Sequence, residues 1–195
     1  MDEVKLETIF MNSIFYVSLF LLFFTGCRDK ESIPSISHTQ KVKAKAEDFF
    51  ETFSDRTDWD KFCSFYREDL EFEDVILQIR LDSLWKFKRF YKWDEEGDRF
   101  RKLSKDQPHL TVHTLVVDKN VAVARGHVNP FYYDNQLIDV EWGMDFTIWL
   151  YFDNDLKISR QVDWFEYDSN VLENMIKRCR ENGFEAIPEW LDLSK

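Results

Sequence analysis

The sequence predicts an α+β fold in which N-terminal helices pack on an antiparallel sheet, and two observations lead to this prediction. Before His109 the apolar residues recur at the spacing of helices, whereas from His109 onward they alternate with the period of two that strands have. The strand-like segments follow one another with short turns between them, which is typical of an antiparallel meander. Rossmann and P-loop folds are therefore excluded, and the sequence has no glycine-rich phosphate loop.

Three helices are predicted in the first half of the domain. The first covers residues 41–54, and its apolar side is formed by Val42, Ala46, Phe49, Phe50 and Phe53. Asp58 is expected to cap a second helix, which carries Tyr66 on its apolar side. Asp82 is expected to cap a third helix, and residues 94–108 are predicted to form a charged loop.

Five strands are predicted from short apolar runs bounded by turn residues. They cover residues 70–76, 110–117, 121–128, 141–152 and 157–167. In the fourth of these strands the apolar side chains alternate cleanly, so Phe146 and Ile148 are expected to be largely buried, as are Phe49 and Phe53 on the apolar face of the first helix.

A final helix is predicted from the apolar spacing of Val171, Leu172, Met175, Ile176 and Cys179. Cys63 and Cys179 both lie on apolar helical faces and are expected to be buried thiols. A disulfide between the two in an oxidising compartment is the alternative.

Composition and charge limit the classes of partner. The chain has 195 residues, 44% hydrophobic and 17% aromatic, which suits one domain with a large core. Its formal net charge of −11 argues against nucleic acid, because binding phosphates requires Lys and Arg. No cofactor and no metal site are predicted: His109 and His113 would stand about 13 Å apart on one strand, and these residues and His127 are expected to be scattered surface histidines.

The N-terminus is predicted to be a targeting segment. Residues 14–24 are apolar apart from Ser18 and the hydroxyl of Tyr16, which matches the core of a signal peptide and is short for a membrane span. The run ends in Thr25-Gly26-Cys27, which resembles the lipobox of bacterial lipoproteins. This resemblance implies cleavage before Cys27, acylation of that residue, and a lipid-anchored protein of the bacterial cell envelope in an undecided membrane leaflet.

The predicted organisation therefore has three parts. Residues 1–26 are the signal peptide, residues 27–40 are the lipidated Cys with a flexible tether, and residues 41–195 are the folded domain. An uncleaved hydrophobic helix that anchors the protein is the alternative. Translation from either Met1 or Met11 is compatible with both interpretations.

Two stretches carry a resemblance to a known superfamily. The first contains Thr57-Asp58-Trp59-Asp60, Phe65-Tyr66-Arg67-Glu68-Asp69-Leu70 and Phe72-Glu73-Asp74. The second is the turn Phe152-Asp153-Asn154-Asp155-Leu156-Lys157-Ile158. With the order of elements over residues 42–170, they resemble the nuclear transport factor 2-like superfamily in its SnoaL-like and ketosteroid-isomerase-like branches, in which Leu156 would be a Gly. The resemblance implies a curved sheet around a cone-shaped pocket that helices close.

Two carboxylates are the candidate catalytic residues under this resemblance. Asp74 falls where the ketosteroid isomerases keep their general base, and Asp163 falls where SnoaL-like cyclases carry an acid/base Asp on the last strand. Phe50 and Ile148 occupy the positions of the isomerases' Tyr and protonated Asp, so the isomerase reaction itself is not expected.

Asp163 is expected to face the concave side of the sheet together with Phe165 and Tyr167, because strand residues two apart share a face. Aromatic surroundings would disfavour its charged form and raise its pKa. In the alternative, Asp163 forms an ion pair with Arg160 or Arg125 and only holds strands together.

Phe50, Tyr66, Phe165 and Tyr167 are the candidate ligand-binding residues. The favoured function is binding of a small, largely apolar ligand or of a protein partner by the pocket-bearing domain. A pocket enzyme of the cyclase, hydratase or hydrolase type, using Asp163 with or without Asp74, is the alternative. A structural module that forms a homodimer is a further alternative.

A basic patch on the third helix consists of Lys86, Lys88, Arg89 and Lys92, interleaved with Trp85, Phe87, Phe90 and Tyr91. The expected role is a solvated helix face in which long side chains cover apolar surface. Contact with lipid head groups near the anchor is the alternative.

The lipobox generates a direct test. Replacing Cys27 by Ser should abolish incorporation of labelled palmitate and leave the precursor unprocessed, because the thiol that accepts the lipid is gone. Palmitate labelling and gel mobility in a bacterial host measure both effects. Normal labelling and processing of the variant would contradict the lipoprotein interpretation.

Overall fold

The computed structural model describes residues 37–139 and 144–167, except for the side chains of residues 94 and 95, together with four helical positions, Ser169, Leu172, Glu173 and Lys177. The predicted signal peptide, Cys27, most of the tether, Trp142 and most of the predicted final helix lie outside the described residues. No helix within the described ranges is long and apolar enough to cross a membrane.

Most of the helices in the described residues lie in the first half of the domain, and most of the strands follow them. The helices are α1 (His38–Asp55), α2 (Trp59–Ser64), α3 (Leu84–Tyr91) and α4 (Trp93–Glu96), and a 3-10 turn covers Gly97–Arg99. The strands are β1 (Tyr66–Asp74), β2 (Ile79–Leu81), β3 (Phe100–Lys102), β4 (Leu110–Asp118), β5 (Val121–Val128), β6 (Phe131–Tyr133), β7 (Gln136–Ile138), β8 (Met144–Phe152) and β9 (Ile158–Phe165).

The strands form a six-stranded sheet in the order β2-β1-β9-β8-β5-β4 and a small sheet in the order β3-β6-β7. The α+β class is confirmed. Every pairing in the two sheets is antiparallel except that of β1 with β9, which is parallel, so the main sheet is mixed. Helix α1 lies on one face of this sheet, against β4 and β5, and α3 lies against β1.

Helix α1 begins three residues earlier than the sequence suggested. Ser37 is its N-cap, and a capping box joins Ser37 and Gln40: each side chain bonds to the other residue's backbone N–H. The predicted tether, residues 27–40, therefore overlaps the helix at its end. The helix ends where Arg56 adopts a left-handed conformation.

Other boundaries also differ from the prediction. Asp58 caps α2 as expected, but Ser83 and not Asp82 occupies the N-cap position of α3, and Asp82 pairs with Lys86 instead. Tyr66 does not belong to α2; it is the first residue of β1. The predicted charged loop, residues 94–108, contains all of α4 except Trp93, together with the 3-10 turn and β3.

The core lies between the helices and the concave face of the main sheet. Phe49, Phe53, Phe146 and Ile148 are all buried, which confirms the predicted core faces of α1 and β8. Gly126 of β5 lies opposite Phe146 of β8, and a Cβ atom at Gly126 would collide with the ring of Phe146 and with the backbone carbonyl of Thr111.

Two local irregularities shape the sheet. The register of β4 against β5 shifts between Val112 and Thr114, which leaves His113 as an extra residue and interrupts the alternation of faces. In the turn between β8 and β9, the Asp153 side chain accepts hydrogen bonds from the backbone N–H groups of Asp155 and Lys157. Leu156 has φ +60° in this turn, a conformation that favours glycine.

The core assignment can be tested at β8. Phe146→Ala should reduce the free energy of unfolding by about 3–5 kcal/mol, because a fully buried ring is removed and leaves a cavity. Thr147→Ala, on the opposite face of the same strand, is the control and should change the free energy by less than about 0.5 kcal/mol. Denaturant titration of both variants measures the difference, and similar losses would mean that the faces of β8 are assigned backwards.

Candidate functional site

The two carboxylates predicted from the sequence are neighbours in space. Asp74 ends β1, Asp163 lies in β9, and the parallel register pairs their Cα atoms directly. Paired strands lie about 4.8 Å apart, and the side chains of directly paired residues leave the sheet on the same side. Both residues are buried, with 1% and 0% of their surface exposed.

Asp163 is held by two donors. The Tyr91 hydroxyl donates to Oδ2 at 2.9 Å, and the side-chain amide of Gln161 donates to Oδ1 at 2.8 Å. Gln161 is itself buried, and its Oε1 accepts a hydrogen bond of 2.6 Å from the Tyr66 hydroxyl. Because the amide oxygen of Gln161 accepts the hydrogen bond from Tyr66, the amide nitrogen of Gln161 faces Asp163.

Asp74 has a separate set of donors. The Tyr167 hydroxyl donates to Oδ2 at 2.6 Å, and the backbone N–H of Leu77 donates to Oδ1 at 2.8 Å. The Tyr167 ring stacks on Phe165, with centroids 5.8 Å apart, and Phe165 in turn contacts Phe146. The two carboxyl groups are therefore embedded in a network of hydroxyl and amide groups with aromatic walls.

Burial in these surroundings raises the pKa of both carboxyl groups. Loss of hydration raises the pKa of Asp74 to about 6, against the opposing effect of its hydrogen-bond donors. Burial, with the charge of neighbouring Asp74 as a second cause, raises the pKa of Asp163 to about 8. Both shifts favour the protonated form, so the pair retains a proton to higher pH than two ordinary aspartates would.

The alternative in which Asp163 pairs with an arginine is wrong. Arg160 forms an ion pair with Glu73 at 3.3 Å, and Arg125 forms one with Asp145, also at 3.3 Å. Both arginines extend from the outer face of the sheet, because they alternate with the buried residues of β9 and β5.

The remaining candidates lie in the same core with different roles. Tyr66 and Tyr167 belong to the carboxyl network, Phe165 forms part of its wall, and Phe50 is buried in edge contact with Phe49. Sequence reasoning missed Gln161 and Tyr91. Gln161 could have been found, because it lies two residues before Asp163 on the same face of a strand.

His109 is not a surface residue as predicted. It is buried, and its Nε2 lies 3.1 Å from Nη1 of Arg56, which also pairs with Glu96. Because a guanidinium can only donate, Nε2 is the acceptor and the ring is neutral. Burial and the Arg56 charge hold the pKa of His109 well below its usual range.

His113 and His127 do meet, through the bulge in β4. His113 Nε2 and His127 Nδ1 lie 2.8 Å apart, and His127 Nε2 lies 2.9 Å from Asn129 Oδ1. Within the described ranges, no group of three or more His, Cys, Asp and Glu side chains is placed to hold a metal ion. Cys63 is buried, as expected, and Cys179 lies outside the described residues.

A cavity of about 170 Å³ is lined by residues outside the carboxyl network. They are His127, Val128, Asn129, Pro130, Phe131, Ile138 and Met144. This space is larger than an engineered core cavity that binds benzene, of about 150 Å³.

Comparison with known protein families found no match, and comparison with curated proteins found none either. Solved structures do match. An LEH-like epoxide hydrolase from M. tuberculosis has 13% identity and a TM-score of 0.52, over 75% of this chain and 94% of that one. A protein described as a SnoaL-like polyketide cyclase from Shewanella putrefaciens has 13% identity and a TM-score of 0.52, over 70% and 96%. A similarly described protein from Shewanella denitrificans has 12% identity and a TM-score of 0.50, over 70% and 97%.

These similarities show the fold and nothing about chemistry, because all identities are low. The fold is that of the nuclear transport factor 2-like and SnoaL-like proteins, in which helices and a curved sheet enclose a pocket. The fold that the sequence resemblance implied is thereby confirmed.

The raised pKa of Asp163 leads to a pH-dependent prediction. The folded protein binds this proton more tightly than the unfolded chain, in which the pKa is near 3.8. The stabilisation is therefore fully present below pH 3.8 and is lost as the pH rises towards about 8. Asp163→Asn should unfold at higher denaturant concentration than the wild type, by a margin that grows across this range.

Asp145→Asn, on the outer face of β8, is the matched control and should show no such growth. Urea unfolding at several pH values measures both variants, and NMR titration of the Asp163 carboxyl gives its pKa directly. If Asp163→Asn loses stability at every pH, the carboxylate holds the fold together and the raised pKa is wrong.

Proposed function

We propose that the concave side of this domain binds a small, uncharged, largely apolar molecule, and that Asp163 and Asp74 bind its polar end. The proposal rests on the observation that the carboxyl groups of Asp74 and Asp163 are buried side by side. Two such groups are costly to bury, and groups of this kind with perturbed pKa values concentrate at functional sites.

The surroundings indicate the class of ligand. The hydrogen-bond donors of both carboxyls are hydroxyl, amide and backbone groups, not cations. A negatively charged ligand would add a third acid to this site, whereas an alcohol or carbonyl compound could exchange hydrogen bonds with it. The aromatic walls would bury the apolar remainder of the ligand.

A ligand can reach the two carboxyl groups only if the side chains of Tyr91 and Tyr167 move. The hydroxyls of Tyr91 and Tyr167 occupy the positions on Asp163 and Asp74 that a ligand hydroxyl would take. Both tyrosines are half-buried, unlike the two carboxyls. Gln161 and the Leu77 backbone, which hold the other carboxyl oxygens, would stay in place.

Native mass spectrometry of the detergent-extracted full-length protein tests binding. The wild type should carry a small non-covalent adduct, and Asp163→Asn should lose most of it because the carboxyl proton donor is replaced. Asp145→Asn should retain the adduct. A wild type without any adduct, present as a clean dimer, would overturn the binding proposal in favour of an interaction module.

Acid–base catalysis at the same pair is the second candidate function. The observation that favours it is the direct pairing of two buried carboxyls in the sheet, where burial raises the pKa of both and the charge of Asp74 further raises the pKa of Asp163. Protonated Asp163 would give its proton to an oxygen of the substrate, while ionised Asp74 would take a proton from water or from a C–H bond. The proton would then return from Asp74 to Asp163, so the pair is restored and the net reaction is a hydration, hydrolysis or cyclisation.

We further propose that the domain is anchored in the bacterial cell envelope through acylated Cys27. The apolar run of residues 14–24 and the Thr25-Gly26-Cys27 sequence support this. More than one acyl chain on one residue gives stable anchoring, whereas one chain would be marginal.

A protein partner, including a second copy of the chain, is an alternative use of the outer face of the sheet. Trp149 and Trp164 of that face are 40% and 54% exposed, and Val116 is 59% exposed. Val116, Val123, Trp149 and Val162 form one cross-strand row over four strands. The mass spectrum described above distinguishes this dimer from a ligand-bound monomer.

A further inference from the structure

Helix α3 has an outer face whose composition differs from the rest of the chain. Leu84, Phe87 and Phe90 are buried, and the opposite face presents Trp85, Lys88 and Arg89 to solvent. These three residues follow the spacing i, i+3, i+4 and therefore form one stripe along the helix. Every charged residue from Leu84 to Lys92 is cationic, although the chain as a whole carries a net charge of −11.

Structural requirements explain only part of this stripe. Cations in the last turn of a helix are stabilised by the helix dipole, which accounts for Lys88 and Arg89. It does not account for Trp85, which lies in the first turn with 58% of its surface exposed. Trp beside Lys and Arg is the combination found where proteins contact the head-group region of a membrane.

The length of the tether restricts what this stripe can meet. Ser37, the N-cap, is ten positions after Cys27, so a fully extended chain spans at most about 35 Å between them. If Cys27 is acylated as proposed above, the bilayer is always within reach of the domain, and a weak attraction is sufficient to orient it.

We infer that the Trp85–Lys88–Arg89 face of α3 contacts an anionic phospholipid surface. This inference rests on the proposed lipid anchor. One cation near an anionic head-group surface shifts the ratio of bound to unbound orientations about fivefold. The outer face of α3 therefore orients the domain on the membrane that holds its anchor.

Quenching of Trp fluorescence by brominated lipid tests this inference. Full-length protein is reconstituted into vesicles of phosphatidylcholine and phosphatidylglycerol brominated in the acyl chains. None of the seven Trp residues lies within the first 58 positions, so quenching reports on the domain. Trp85→Phe should lose most of the quenching, whereas Trp164→Phe, an equally exposed Trp on the outer face of the sheet, should retain it.

The role of charge is tested by Lys88→Glu, with exposed Lys105→Glu as the matched control. Lys88→Glu reverses one charge and should lower the ratio of bound to unbound orientations about 30-fold. Lys105→Glu should leave this ratio unchanged. Flotation of the vesicles reports the anchor separately. Flotation without quenching specific to Trp85, or equal effects of the two Lys variants, would overturn the inference while leaving the anchor intact; failure to float would overturn both.

Discussion

The parallel pairing of β1 with β9 is the constraint on which the candidate site depends. Asp74 and Asp163 are 89 residues apart in the sequence, and only this pairing places them side by side. A parallel pair cannot be joined by a tight turn, and residues 75–157 lie between the two strands in the chain. The carboxyl pair therefore exists only where β1 and β9 are paired in this register.

The site also shows how aromatic side chains allow polar groups inside an apolar core. Tyr66 and Tyr91 pack their rings against Phe87, with centroids 4.6 Å apart in both cases, while their hydroxyls extend to Gln161 and Asp163. One end of each tyrosine thus adds to the hydrophobic core, and the other end satisfies a buried acceptor. Without such donors each carboxyl would be an unsatisfied buried group, which costs considerably more stability than a lost hydrogen bond.

Much of this architecture could be predicted from the sequence, because its apolar residues recur with the regular periods of helices and strands. The buried faces of α1 and β8, the Asp58 cap and the concave orientation of Asp163 follow from spacing alone. Prediction failed where one residue breaks the period, as the extra His113 does in β4. It also failed where the decisive partner is distant: Arg56 lies 53 residues before His109 in the chain, so nothing local indicated that the histidine would be buried and neutral.

Gly126 shows how closely the edge of the sheet and its interior are coupled. The absence of one methyl group at this position leaves room both for the backbone of β4, at the Thr111 carbonyl, and for the ring of Phe146. Any side chain here would push against both the hydrogen-bonded backbone of β4 and the aromatic core at Phe146. A smaller residue at position 146 would relieve the collision with the ring but not the collision with the Thr111 carbonyl, so the β4 backbone alone requires glycine at position 126.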